Sequence, residues 1–323
     1  MSIEIKVEQA YKGDCIHLRY GDKHKTNIII DSGPGHFEKG FSDLICKIRD
    51  AGETVDLLIL THIDNDHIMG FKRYISKGKS DTNLIKKIWL NGEGVKFYSK
   101  NQTHSARNIS NLVSEIKRKN IEIVTPIQEG YEEYLNGAHL KVITPKSEDI
   151  LNVAQIIDRN KLNSSKRIIN YPNLDEIINE DRYEKDSSDT NKASISFVFS
   201  YEDKKIAFLG DAHAEDVIEG KIKYFSGQDI DMVKISHHGS KYNTNCELLK
   251  NFGCSKFIIS TKGPVDKETI ARIIKNSSGA KVYCNYDWWT LKKYFSEEDE
   301  NKYILNKNFI IEHKNLLTDE EDI

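Results

Sequence analysis

Nothing in this chain suggests an oxidising compartment or a membrane. Its five cysteines, Cys15, Cys46, Cys246, Cys254 and Cys284, are odd in number, scattered, and never spaced Cys-x-x-Cys. That pattern argues against a disulfide framework or a zinc ribbon and for reduced thiols, with Cys15 and Cys254 as core fillers. No run approaches the roughly 18 uninterrupted apolar residues that a membrane span requires. The first residues, Met1-Ser2-Ile3-Glu4-Ile5-Lys6, alternate like a strand and lack the apolar core of a secretion signal. Basic excess is missing too: 47 Lys and Arg face 50 Asp and Glu, a formal net charge of −3. No global positive field therefore advertises nucleic-acid binding, although a local basic groove stays open. Internal repeats are absent as well. What remains is a 323-residue chain, 38% hydrophobic and 30% charged, able to bury a large core as one large domain or two small ones. A cytoplasmic protein with no membrane partner is expected.

Residues 3–7, 15–20, 27–31 and 56–60 read as strands, with a helix over 41–48 stopped by Ala51-Gly52. A short strand at 88–90, a helix over 105–119 and a strand at 140–143 follow. Residues 146–190 are polar and charged and break the pattern; helical pieces in an insertion over the site are expected there, because a structureless loop of that length is unusual. The pattern resumes with a hairpin, 194–201 and 205–209, then strands at 231–235, 256–260 and 280–284 alternating with helices near 213–223, 245–251 and 266–276. Strands followed by β-α alternation suit an α/β fold, a four-layer αββα sandwich. A strand at 309–312 and an acidic, solvated end, Asp319-Glu320-Glu321-Asp322-Ile323, close the chain.

The most informative stretch is Thr61-His62-Ile63-Asp64-Asn65-Asp66-His67, which sets four metal-capable side chains directly after the apolar run Leu57–Leu60. A turn leaving a buried strand can aim such ligands into one small volume, as a divalent metal needs. Three more apolar runs end in the same manner: Ile28-Ile29-Ile30 in Asp31-Ser32-Gly33, Phe208-Leu209 in Gly210-Asp211, and Val233-Lys234-Ile235 in Ser236-His237-His238-Gly239-Ser240. Each motif alone is weak; together they are specific.

In that order the motifs resemble the metallo-β-lactamase-fold hydrolases over about residues 1–290, with 291–323 left as a C-terminal extension carrying the acidic tail. Asp64, the His-His-Gly-Ser ending and the opening Gln9-Ala10-Tyr11-Lys12-Gly13-Asp14-Cys15-Ile16 look most like the hydrolase domain of the ComEC competence protein. No run here could form that protein's membrane channel, so the resemblance implies a free-standing hydrolase module and not DNA uptake. It implies two divalent metal ions about 3.5–4 Å apart, sharing a hydroxide and a bridging carboxylate. His62 and Asp64 would hold the first, Asp66 and His67 the second, Asp211 would bridge, and one of His237 and His238 would complete the second site: His238 is taken as the ligand and His237 as meeting substrate, with the reverse assignment left open. Asp66 and His237 are thus the expected catalytic residues, and Asp31 is expected to organise the ligand loop rather than touch metal. Asp64 stands where most members carry histidine, which shifts preference from zinc toward manganese or magnesium. Thr144-Pro145 stands where a ligand histidine often sits, so the first site is expected to lack one protein ligand.

Three readings follow. The leading one is a phosphodiesterase, most plainly a nuclease, acting on nucleic acid or another phosphodiester by a metal-bridging hydroxide. The second keeps the fold but hydrolyses a small ester, lactone or phosphoryl group. The third is a subunit of a bacterial defence or toxin system activated by a protein partner. Lys241, just past the His pair, is placed to meet a substrate anion. Lys117-Arg118-Lys119 and Lys166-Arg167 read first as solvated helix faces. Trp288-Trp289 and Tyr286 read first as packing.

Overall fold

Alternation decides the first sheet. In β1 (Ser2–Val7) every second residue is buried, the period of a strand with one face on the core. It is joined by β2 (Ile16–Gly21), β3 (Thr26–Ile30), β4 (Val55–Leu60), β5 (Lys87–Leu90) and β6 (Glu122–Val124). All six residues of β4 are buried, as a strand covered on both faces requires. A second sheet takes β7 (Glu132–Leu135), β8 (Ala138–Thr144), β9 (Ser196–Tyr201), β10 (Lys204–Phe208), β11 (Met232–Lys234), β12 (Lys256–Ile259), β13 (Ala280–Cys284) and β14 (Phe309–His313), while β15 (Leu316–Thr318) returns to the first. The strand orders are β15-β1-β2-β3-β4-β5-β6 and β14-β13-β12-β11-β10-β9-β8-β7. This computed structural model describes residues 2–77, 80–92, 104–156, 172–291 and 293–323.

Three apolar layers hold the architecture together. Ile5, Leu18, Ile28, Phe197, Phe199, Phe208 and Ile258 meet between the sheets. On the outer face of the first sheet pack α1 (Glu38–Asp50), α2 (Asn65–Ile75) and α3 (His104–Arg118), through Phe41, Ile45, Ile68, Phe71 and Leu112. The insertion contributes α4 (Ser147–Ile156), α5 (Leu174–Glu180) and α6 (Asp189–Lys192). The second sheet is covered by α7 (Ala214–Phe225), α8 (Cys246–Phe252) and α9 (Lys267–Asn276), through Val217, Leu249 and Ile270. The αββα sandwich expected from the sequence is the fold. Strands β3 to β6 run parallel, as do β10 to β14. Their carboxyl ends deliver Asp31, His62, Asp211 and His237 to one edge, where ligands of parallel sheets collect.

Several elements depart from the sequence reading. Helix α2 was not expected, because its polar first turn hides the buried stripe Ile68, Phe71, Tyr74 and Ile75. Strands β6, β7 and β15 are only three or four residues long, too short for a periodic signal. Lys166-Arg167 lies outside the described residues. All five cysteines are free. Trp288 is buried against Trp289 and Tyr294, so it packs.

The acidic end is a correction. Glu320 and Glu321 are exposed as expected, but the preceding β15 pairs with β1 and the last two residues are docked, Asp322 at 1% exposure. Its carboxylate accepts the Thr318 amide at 3.0 Å and the Lys314 ammonium at 2.7 Å. Asp322→Ala strands that amide and is expected to lower unfolding stability by about 1–3 kcal/mol. Urea unfolding checks this, and an unchanged midpoint would return the tail to solvent.

Candidate metal centre

The short links after the parallel strands leave each ligand candidate little freedom. Asp31 follows β3 in the left-handed region, φ +58°, a conformation a non-glycine residue keeps only when its surroundings fix it. The fixing groups are visible. Its carboxylate accepts the Thr61 amide and the Thr61 hydroxyl, each at 2.8 Å, and lies 2.8 Å from His67 Nδ1. Asp31 thereby ties β3 to β4 and turns His67 Nε2 toward the centre, the orienting role common behind metal-binding imidazoles. Asp66 and His67 sit on the first turn of α2 and Asp64 at its N-cap.

His237 and His238 follow β11 with φ of +46° and +54°. Two consecutive left-handed residues fold the chain tightly enough to aim both rings inward. His238 Nδ1 is 3.0 Å from the Ser260 carbonyl. His237 Nδ1 is 3.0 Å from Asn243 Oδ1. Asn243 Nδ2 donates to Asp186 and to the Asp211 carbonyl, both pure acceptors, so its oxygen must face His237 and Nδ1 is the donor.

Asp211, 2% exposed, is the meeting point. Its Oδ2 lies 3.7 Å from His62 Nε2, 3.3 Å from His67 Nε2, 3.7 Å from His237 Nε2 and 3.8 Å from His238 Nε2. Asp64 Oδ2 is 3.8 Å from His62 Nε2, and Asp66 Oδ2 is 3.7 Å from His238 Nε2 and 3.9 Å from His67 Nε2. Four groups of three donors lie within mutual reach among the described residues: His62, His67 and Asp211; Asp66, His67 and His238; Asp14, Asp211 and His238; and Asp14, Asp31 and His67. His237 belongs to none of them. The residues expected as metal ligands lie together around Asp211, with His238 on the Asp66 side, while Lys241, expected to meet substrate, is engaged elsewhere. The Lys241 ammonium is paired with Glu268 at 2.6 Å, which neutralises the charge a substrate anion would seek. Thr144, standing where a histidine was sought, spends its hydroxyl on Ser194 and Ser196.

The donor set fits divalent metal on two counts. His62 Nε2, His67 Nε2, His238 Nε2 and Asp211 Oδ1 are buried with no hydrogen-bond partner in the protein, a costly arrangement unless something binds them. Charge points the same way. Asp14, Asp31, Asp64, Asp66 and Asp211, with Asp186 behind His237, face one ammonium, Lys234, an excess of negative charge that divalent cations would offset.

Asp14 and Lys234 were missed as site residues. They are 1% exposed each, form a buried ion pair, and Asp14 Oδ1 lies 3.2 Å from His238 Nδ1. The signal was present: a lone lysine inside the apolar strand β11 demands a buried counter-ion. Asp186 and Thr190 of the insertion, with Asn191 just past it, also reach the site: Asn191 donates to Asp186 at 2.7 Å and Thr190 to Asp64 at 3.3 Å. No sequence pattern announced them.

Protonation follows from this crowding. Burial opposes a charge on His67, but Asp211, Asp31 and Asp66 outweigh it and hold its pKa well above the ordinary imidazole value. Burial likewise opposes charge on His238, yet Asp14 and Asp211 raise it from 6.5 to about 10. His62 goes the other way: burial and the His67 charge lower it. For Asp211, burial favours the neutral acid, but His67, His237 and His238 hold the carboxyl well below its usual range. In metal-free protein, the His238 contribution to stability is complete below pH 6.5 and lost as pH climbs toward about 10. The denaturation midpoint of chelator-stripped protein is expected to fall across that window, and to fall less in His238→Asn. A midpoint that stays flat or rises would contradict the assignment.

Residues 14–252 match the metallo-beta-lactamase superfamily, and the chain belongs to it. The solved structures it resembles include zinc-bound PqqB from Methylobacterium extorquens, at 10% identity and a TM-score of 0.46 over 98% of this chain and 99% of that one. A diphosphatase of the PhnP family aligns at 11% identity and a TM-score of 0.40, covering 94% and 83%. A putative metal-dependent hydrolase from Parabacteroides distasonis aligns at 11% identity and 0.39, covering 96% and 93%. No curated protein matches the sequence. Among the described residues, no helix is long and apolar enough to cross a membrane.

Proposed function

We propose that this chain is a metal-dependent phosphodiesterase of the ComEC-like kind, cleaving nucleic acid or another phosphodiester. The observation that carries the reading is the set of buried imidazole Nε2 atoms without protein partners around Asp211, ringed by carboxylates. His62, Asp64 and Asp211 would hold one divalent cation, and Asp66, His67, His238 and Asp211 a second. Bound there, the cations would supply an activated water at neutral pH and charge stabilisation for a phosphoryl transition state.

The chain's own residues do the rest. Asp31 and Asp14 hold His67 and His238 by their Nδ1 atoms, keeping each Nε2 on the centre. Asp66, 44% exposed at its side chain, and His237, 36% exposed, face the mouth, where substrate arrives. With Nδ1 committed to Asn243, the half-exposed Nε2 of His237 is the ring atom left to meet a substrate phosphate or leaving oxygen. The carboxylate-rich donor set favours harder cations over a histidine-rich one, which supports phosphate chemistry.

Elemental analysis after purification without chelator is expected to find divalent metal in wild type and clearly less in Asp66→Ala and Asp211→Ala. Turnover of bis(p-nitrophenyl) phosphate should fall about 10²- to 10³-fold or more in Asp66→Asn with the fold intact. Activity on lactones or carboxyl esters alone would reject the reading, and metal binding with no turnover of any substrate would favour a partner-activated subunit.

Asp64 tests metal choice. At equal occupancy, manganese should support more activity than zinc, and Asp64→His should move the optimum toward zinc. A zinc optimum that the substitution leaves alone would refute the softness argument.

A further inference from the structure

Beside Asp66 lies a patch that metal binding does not explain. The loop joining β1 to β2 rests on the first turn of α2: a Cβ on Gly13 would sit 2.0 Å from the Asp66 carbonyl oxygen, so only glycine allows the approach. Two residues earlier, Tyr11 has φ +62°, a strained conformation for a bulky aromatic. Its backbone is held there from both sides. The Tyr11 amide donates to Tyr286 Oη at 2.9 Å, and its carbonyl accepts the Lys262 amide at 2.7 Å. Yet the ring so expensively placed is not used in the core; Tyr11 is 38% exposed. His36 packs edge-on against it at 4.3 Å.

Two cations frame this pair. Lys262 Nζ lies 5.2 Å from the Tyr11 ring centroid. A Cβ on Gly263 would be 3.6 Å from Lys12 Cε, so the Lys12 stem runs along the same turn. Both lysines are exposed, and neither has a carboxylate within ion-pair distance among the described residues, whereas Lys77, Lys146 and Lys241 do. In a chain with net charge −3, these two exposed ammonium groups, without a carboxylate partner and flanking an exposed ring, are free to take an external anion.

We propose that Tyr11, His36, Lys12 and Lys262 form a platform for single-stranded nucleic acid. Lys12 and Lys262 take backbone phosphates, and an unpaired base stacks on the Tyr11–His36 pair, displacing the Lys262 ammonium toward phosphate. A duplex cannot use the ring, because its bases are already stacked on both faces. The strand then runs past Asp66, which presents the next phosphodiester to the centre. This rests on the phosphodiesterase reading above.

The test is fluorescence anisotropy with a labelled ten-nucleotide single strand and the matching duplex, on the full chain. Wild type is expected to prefer the single strand. Tyr11→Ala should weaken single-strand binding about 10-fold or more, and Tyr11→Phe should restore it. The Lys12→Ala/Lys262→Ala variant should flatten the slope of log K against log salt by about 1.4, two phosphate contacts at about 0.7 each. Single-strand binding indifferent to these changes, in variants with native circular dichroism, overturns the platform. Wild-type turnover of bis(p-nitrophenyl) phosphate is measured separately. Turnover with indifferent binding removes the platform and leaves the phosphodiesterase; platform-dependent binding without turnover of any phosphodiester does the reverse.

Discussion

Everything at the functional edge depends on one carboxylate. Asp211 gathers four imidazole Nε2 atoms within 3.3–3.8 Å of a single oxygen, and those rings come from both sheets. His62 and His67 arrive from the β4 side and His237 and His238 from β11, so the centre stitches the two halves of the sandwich across their edge. Such crowding is tolerable only if the donors share something positive. Protons serve in the metal-free protein, where His67 and His238 are pushed toward the charged form. Divalent cations would serve better, since they bring two charges and accept several lone pairs at once.

Around this centre the fold places residues whose task is orientation. Asp31 fixes His67, and Ser260 and Asp14 fix His238, while Asn243, itself held by Asp186, fixes His237. Lys234 keeps Asp14 charged in an interior that would otherwise expel it. Arg272 extends the same logic to the insertion. Buried to 1% exposure, it holds Asp181 through two hydrogen bonds and donates to the Lys241 and Thr244 carbonyls. The second half of the insertion is thus anchored to the loop that carries the His pair.

The ligand candidates were legible because each follows an apolar strand and keeps its meaning in a short window. His62, Asp64, Asp66, His67, Asp211 and the His pair could be read that way, and so could the sandwich, from strand runs followed by β-α alternation. What could not be read is long-range. Asp14 and Lys234 are 220 positions apart, and nothing local names one as the partner of the other. Asp186 and Asn243 look like ordinary loop polars until the chain closes. Helix α2 was hidden because its first turn is made of polar ligand candidates, and the docked end of the chain because acidic residues read as solvated unless their partners, here Lys314 and the Thr318 amide, are known.

The central claim is that the donors around Asp211 are a divalent-metal site. Crystals grown with manganese and measured for anomalous scattering test it most directly. The account predicts a peak within bonding reach of Asp66, His67, His238 and Asp211, and a second peak toward His62 and Asp64. An ordered centre without anomalous density, its Nε2 atoms bridged by water alone, would contradict it.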